Sequence, residues 1–244
     1  MTKTSTNTGP LAGQGVVITG GSRGLGAALA RELARRGARL ALIARGAEAL
    51  NDVVETIRAS GGEAHALVGD IADKAQTHPL AGSAQALLGE VSVFISNASV
   101  LGPEPLRLLA DTACEELERA LAVNVVGPFR LAKALLGPMI ARGRGQVVHI
   151  SSDAAVAAYP RWGAYGASKA AFDHLARIWA AETEGSGVRL FAVDPGEMDT
   201  LMHRQALPDA DPASLARPDT VAKRIADWLE DPAVPHGSRQ GGAS

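Results

Sequence analysis

The sequence predicts an α/β protein, a single domain built on a doubly wound parallel sheet with helices on both faces. Three observations predict it. Short apolar runs alternate with amphipathic stretches about six times along the chain. The apolar runs are continuous, as in strands covered by helices on both sides. A glycine-rich turn separates the first run from the first amphipathic stretch, where such sheets bind their ligand.

Residues 1–10, Met1 to Pro10, are polar and predict a flexible tail. The domain is expected over residues 11–231. Residues 232–244, polar and glycine-rich, either add a last strand or remain disordered. Residues 15–19 form a first strand, and a helix over 25–36 stops at Gly37. A second strand over 39–44 leads to a helix over 47–60, which stops at Gly61-Gly62. A third strand covers 64–68, a helix 74–88 and a fourth strand 91–95. One long helical region spans 114–141, before a fifth strand at 146–150. A helix containing Tyr165 runs to about Glu184, a sixth strand covers 188–193, and a last helix over 219–230 has Pro218 near its start.

The chain of 244 residues is 46% hydrophobic and 20% charged, with a net charge of −2. It can bury a core without staples, and its charge makes no case for nucleic acid or an anionic membrane as partner. The amino end lacks the apolar core of a signal peptide, and no apolar run reaches the ~18 residues of a membrane span. Cys114 is the one cysteine, so no internal disulfide forms, which suits the cytoplasm. His65, His78, His149, His174, His203 and His236 are scattered, and no metal site is expected. His149 reads as a satisfied core histidine, and Glu115, Glu116 and Glu118 as a solvated helix face.

Thr19-Gly20-Gly21-Ser22-Arg23-Gly24-Leu25-Gly26 joins the first strand to the first helix. Glycines there let the backbone approach a pyrophosphate, toward which the helix points its first amides. The second strand ends at Ala44-Arg45, where an NAD-binding chain carries an acid. Arg45, with Arg23 in the turn, suits the 2′-phosphate of NADP(H) instead.

Tyr165 and Lys169 lie four apart and share one helix face. A cation about 4 Å from a phenol, at an effective dielectric of ~20, favours the phenolate by roughly 4 kcal/mol, or about three pK units. Such a pair makes a phenol that ordinarily titrates near pH 10 a usable proton donor and acceptor.

Together with Asp70 after the third strand, Asn124, Ser152 thirteen residues before Tyr165, and Asp194-Pro195-Gly196 followed by Thr200, these motifs resemble the short-chain dehydrogenase/reductase family over nearly the whole chain. The resemblance implies a Rossmann fold and a hydride exchanged between NADP(H) and a carbonyl or secondary alcohol. It implies Asn124, Ser152, Tyr165 and Lys169 as catalytic residues. Tyr165 is the general acid or base, Lys169 tunes it and holds the nicotinamide ribose, and Ser152 polarises the carbonyl. Cofactor contacts are implied at Gly20, Ser22, Arg23, Gly24, Leu25, Gly26, Arg45, Asp70, Ile71, Asn97, Ala98, Tyr165, Lys169, Pro195, Gly196, Met198 and Thr200. Ser96-Asn97-Ala98-Ser99 departs from the family's Asn-Asn-Ala-Gly.

Pro128 lies four residues beyond Asn124 and predicts a kink that frees the Asn124 carbonyl to hold a water in the family's proton relay. The alternative is a helix that ends near Asn124 and restarts at Pro128. The stripe Phe172, Leu175, Ile178, Trp179 reads as core, with a share for a homodimer or homotetramer interface. Val100, Leu101, Tyr159, Trp162, Met198 and Met202 predict an apolar substrate pocket. Arg161 and Arg204 are its possible anion contacts, and residues 198–218 a mobile lid. Two other readings remain open: an NADP-binding regulatory protein without turnover, and a sugar-nucleotide epimerase or dehydratase.

Overall fold

The structure, a computed structural model, describes residues 9–241. Among the described residues the strands β1 (Gly15–Thr19), β2 (Arg39–Ala44), β3 (Glu63–Val68), β4 (Val91–Ser96), β5 (Gly145–Ile150), β6 (Val188–Asp194) and β7 (Arg239–Gly241) form one sheet. Their order is β3-β2-β1-β4-β5-β6-β7, and every pairing is parallel. The helices are α1 (Gly24–Arg35), α2 (Ala47–Ala59), α3 (Lys74–Leu88), α4 (Cys114–Leu121), α5 (Gly127–Arg142), α6 (Gly163–Glu182), α7 (Leu201–Ala206) and α8 (Pro218–Glu230).

Continuous apolar strands work here because the two-residue period sends alternate side chains to opposite faces, and both faces are covered. Register aligns Leu42, Ile18, Ile95, Val148 and Phe191 in one row across the sheet. That row packs with the apolar faces of α1, α2 and α8. One position earlier on each strand, Ala41, Val17, Phe94, Val147 and Leu190 form the opposite row, against α3, α5 and α6. Strand order reverses between β1 and β4, which opens a crevice at their carboxyl ends.

Three sequence expectations are corrected. The helix expected over 114–141 is interrupted: α4 and α5 are joined by a π-helical turn, Ala122–Val126, in which Gly127 N–H donates to Ala122 O. Pro128 has no N–H to give to the Asn124 carbonyl, so the regular α-ladder cannot run through this turn. Cys114–Arg142 is also long and apolar enough to cross a membrane by length and composition, contrary to the reading of the sequence. Half of its most apolar window is buried within the protein, the position of a core helix. Finally, the tail expected over 1–10 falls largely on residues 1–8, outside the described residues. Gly9 and Pro10 belong to the domain: Ala12 N–H bonds Gly9 O at 2.8 Å, and a side chain on Gly9 would meet the Arg36 carbonyl at 2.4 Å. At the other end β7 forms, so a last strand is present; residues 242–244 lie outside the description.

Phe94 is fully buried at the centre of the sheet. Phe94→Ala is expected to cost about 3–5 kcal/mol, lowering the melting temperature by roughly 10 °C for a protein of this size, as read by thermal unfolding.

Candidate active site

The phosphate turn is shaped by steric necessity. Gly20 and Gly24 adopt φ of 70° and 53°, the left-handed region. A Cβ on Gly26 would lie 2.1 Å from the Gly20 carbonyl, so the turn closes only with glycine there. The ends of β1 and β4 are tied by Asn97, whose Nδ2 donates to Thr19 O at 2.9 Å, and by Thr19 Oγ1, which accepts from the Asn97 and Ala98 amides at 3.0 and 3.1 Å. The carbonyl and hydroxyl at the end of β1 thus hold the next strand in place. At the start of α1 Arg23 caps with its backbone, and no side chain takes the first-turn amides. Ser22 is half-buried, Arg23 exposed and Leu25 buried. This donor set, with no acid in the first turn, fits a dinucleotide pyrophosphate.

Arg45 is exposed at the end of β2, close enough to Asp70 to favour its ionised form. Asp70 is already engaged: its carboxylate accepts from Arg119 at 2.9 Å and from the Ala72 amide at 2.9 Å. Ile71 is buried, and its carbonyl crowds Gly127.

Tyr165, Lys169, Ser152 and Asn124 converge. Tyr165 is 8% exposed within a small cluster with Leu101 and Ala154, and Trp162 meets its ring edge-on at 5.7 Å. Lys169 Nζ lies 5.5 Å from the Tyr165 ring centroid but donates to the Ile150 carbonyl at 2.6 Å. The expected lowering of the phenol by Lys169 is therefore not what the chain's own groups produce. Burial pushes Tyr165 up to about 12; Ser152 and Ser99 favour the phenolate, while Asp153 and Asp194 oppose it. Burial likewise pulls Lys169 down to about 8. Desolvation outweighs the helix spacing because both groups are buried and the ammonium is aimed at a backbone carbonyl.

Ser152 Oγ donates to Asp153 Oδ1 at 2.9 Å and accepts from the Ala154 amide at 3.2 Å. Asn124 sits inside the π-turn. Its Oδ1 accepts from Val100 N–H at 2.9 Å, and its Nδ2 donates to Val100 O and Ser168 Oγ, both at 2.8 Å. Ser168 Oγ in turn donates to the Tyr165 carbonyl at 2.7 Å. The Asn124 side chain thus ties the loop after β4 to the turn of helix that carries Tyr165. Ser99 Oγ is buried without a well-formed hydrogen bond, near enough to Tyr165 to favour its phenolate.

Behind the site lies a charged network that sequence reasoning missed. Asp173, one turn beyond Lys169, accepts from Ser151 Oγ at 2.7 Å. Arg239 of β7 reaches Asp173 at 3.5 Å, Asp194 at 3.0 Å and the Ser152 carbonyl at 2.8 Å. The i, i+4 spacing of Lys169 and Asp173 was visible in the sequence, but Arg239 arrives from a strand that sequence alone left undecided. His149 is buried as expected, yet it is not satisfied: neither ring nitrogen has a hydrogen-bond partner, and Asp173 is 3.6 Å away. Burial holds its pKa well below the usual imidazole range, with Lys169 adding to the effect.

A cavity of about 340 Å³ opens beside Tyr165. Leu101, Tyr159, Trp162, Met198 and Met202 line it as expected; Val100 does not, and packs against the core around Val17 and Phe94 instead. Arg161 and Arg204 do not line it either, and Arg204 pairs with Asp199. Asp153, Glu197 and His203, not singled out from sequence, do. The segment expected to be a lid folds over the cavity through α7 and a bridge between Met198 and Ala216. Thr200 caps α7 by accepting from His203 N–H at 3.2 Å, and its methyl group stands near Gly24. Gly196 turns at φ 73°, with its amide on Asp194, and the Pro195 carbonyl accepts from Arg224. The stripe on α6 is divided: Phe172 is buried and Trp179 stacks on Phe129 at 5.0 Å, while Ile178 is 40% exposed.

A parallel sheet with a glycine turn at its switch point and a cavity over its carboxyl edge defines a dinucleotide-binding α/β protein. Residues 14–211 match the family model described as short chain dehydrogenase, and the chain belongs to that family of oxidoreductases using a nicotinamide cofactor. It is 38% identical over 192 residues to glycine betaine reductase of Emericella nidulans, covering 79% of this chain and 15% of that longer protein. It is 34% identical over 229 residues to a short chain dehydrogenase of Pseudocercospora fijiensis, covering 92% of this chain and 71% of the relative. A metagenomic short-chain oxidoreductase in complex with NADP superposes with a TM-score of 0.81 at 30% identity, over 96% of this chain and 100% of the other. NAD+-bound xylitol dehydrogenase shares the fold, with a TM-score of 0.84 at 24% identity over 94% and 97% of the two chains.

Asp173 raises the pKa of Lys169 against the pull of burial. Asp173→Asn is therefore expected to move the Lys169 titration below its value of about 8. NMR of side-chain-labelled lysines, with Lys169→Arg to assign the signal, reads the shift; an unmoved titration would show that the network does not support the ammonium.

Proposed function

We propose that this protein is an NADP(H)-dependent oxidoreductase acting on a carbonyl or secondary alcohol that has an apolar body. The observation that carries the reading is the convergence of Tyr165, Ser152 and Lys169 beside a cavity over the carboxyl edge of the sheet. Bound at the switch point, the cofactor would supply or accept the hydride. In reduction the carbonyl carbon gains that hydride, and its oxygen gains the Tyr165 proton. Ser152 donates a hydrogen bond where charge builds on the oxygen.

Burial pushes Tyr165 up to about 12, so the phenol is protonated at neutral pH, the form that gives its proton in reduction. Lys169, held against Ile150 with its ammonium 5.5 Å from the Tyr165 ring centroid, would hold the nicotinamide ribose beside the phenol. Asn124 acts as a positioning residue, because it fixes the loop after β4 against α6.

For cofactor choice, the end of β2 offers Arg45 and no carboxylate, and Arg45 and Arg23 are both exposed. A guanidinium there grips a 2′-phosphate. The same reading places the protein in the cytoplasm and pairs it with copies of itself. Val126 and Ile178, 38% and 40% exposed beside the stacked Phe129 and Trp179, offer an apolar surface for that pairing, which light scattering would test.

A panel of ketones and aldehydes with NADPH and NADH, followed by loss of reduced-cofactor absorbance, tests the function. NADPH is expected to be preferred at least tenfold, and Arg45→Ala to remove most of that preference; equal use of NADH by the wild type defeats the Arg45 argument. Tyr165→Phe is expected to lower turnover by about 10²-fold or more, and full activity in that variant defeats the mechanism.

A further inference from the structure

The cavity beside Tyr165 has apolar walls but carries charge of one sign. Its acidic lining residues are Asp153, Asp194 and Glu197, and no lysine or arginine is among the described residues that line it. The three carboxylates differ in how they are compensated. Asp194 is neutralised by Arg239 at 3.0 Å. Asp153 accepts from Ser152 Oγ, Tyr159 Oη and the Ala154 amide at 2.9, 2.9 and 2.8 Å, all uncharged donors. Glu197 is 66% exposed, and its ion-pair contact is with the His203 ring, at 3.8 Å.

Neighbouring cations do not cancel this charge. Arg204 is committed to Asp199, and Arg161 is exposed outside the lining. The field also reaches the tyrosines: Asp153 and Asp194 raise the pKa of Tyr165, and Asp153, Glu197 and Asp194 that of Tyr159.

Two further features of the lining bear on the ligand. Tyr159 and Trp162 both line the cavity, and aromatic faces attract ammonium groups. His203 also lines the cavity, with a side chain only 10% exposed and its ring 3.8 Å from Glu197, so it stands against that carboxylate without forming a hydrogen bond. An anion entering this cavity meets like charge, an uncharged molecule leaves Asp153 and Glu197 with no lysine or arginine to balance them, and a cation supplies that balance.

We propose that the substrate is a carbonyl compound or alcohol carrying an ammonium group, with its charge held by Asp153 and Glu197 against the rings of Tyr159 and Trp162. The proposal deepens the hydride-transfer reading and depends on it. The redox step is unchanged: the carbonyl carbon takes the hydride and its oxygen the Tyr165 proton. The ammonium group takes no part in bond making and serves to orient the carbonyl.

The test uses isosteres that differ only in charge. Choline and its uncharged tert-butyl isostere are titrated against the full-length protein by tryptophan fluorescence, a reading that needs no turnover. A trimethylammonium ketone, its tert-butyl isostere and a keto acid of similar size are then compared as substrates by kcat/KM. The wild type is expected to favour each cation over its isostere by about tenfold and to reject the keto acid. Asp153→Asn and Glu197→Gln are each expected to reduce the ratio of cation to isostere at least threefold. Glu197 is exposed, so its variant tests the proposal even if the other disturbs Ser152. A ratio near one, or a preference that persists unchanged in both variants, overturns the proposal. If choline is preferred but no carbonyl is turned over, the cation site stands and the hydride-transfer reading falls; equal turnover of both ketones overturns the cation site and leaves hydride transfer intact.

Discussion

Three consecutive residues at the end of β5 are each held by a charged side chain from elsewhere. Lys169 donates to the Ile150 carbonyl at 2.6 Å, Asp173 accepts from Ser151 Oγ at 2.7 Å, and Arg239 donates to the Ser152 carbonyl at 2.8 Å. Two of these groups come from one face of α6 and the third from β7. Together they bear on where Ser152 stands relative to Tyr165, and the Lys169 and Asp173 bonds are buried, where such bonds are strong and costly to leave unmade. The orientation of α6, the position of the Tyr165 ring and the shape of the cavity above it all follow from this attachment.

The same burial sets the electrostatics of the site. Desolvation raises Tyr165 and lowers Lys169, moving each toward its neutral form. Asp173 opposes the shift at the lysine, and Ser152 and Ser99 oppose it at the phenol. Proton chemistry at this site is therefore a balance between a low dielectric and a few placed dipoles and charges, with the acid form of Tyr165 favoured. The cavity continues the theme outward, since Asp153 and Asp194 in its lining both raise the pKa of the phenol.

Most of the fold was legible because it depends on local signals. Continuous apolar runs at 15–19, 39–44 and 91–95 could be buried only between two layers of helices, and α3 occupies the very residues, 74–88, that its periodicity marks. Pro128 signalled a break in the helix expected over 114–141, but whether the chain would kink there or stop and restart depended on what packs against it. The answer, a π-turn, places the Asn124 side chain between Val100 and Ser168. β7 was undecided because three residues on an edge carry too little pattern; they become a strand through pairing with β6 and through Arg239.

What the sequence by itself determined is the set of groups whose relation is local: glycines where a Cβ cannot fit, Tyr165 and Lys169 one helical turn apart, and Arg45 at the end of a strand. Tertiary structure decided the relations between groups distant in the chain. It aimed Lys169 at Ile150, paired Asp70 with Arg119, left both nitrogens of His149 unpartnered, and brought Asp153 and Glu197 to one cavity. The physical reason is that dielectric environment and the partners a charge finds are properties of a packed volume. Two residues of like identity differ in pKa and in reactivity according to what the fold places around them, and no spacing along the chain encodes that.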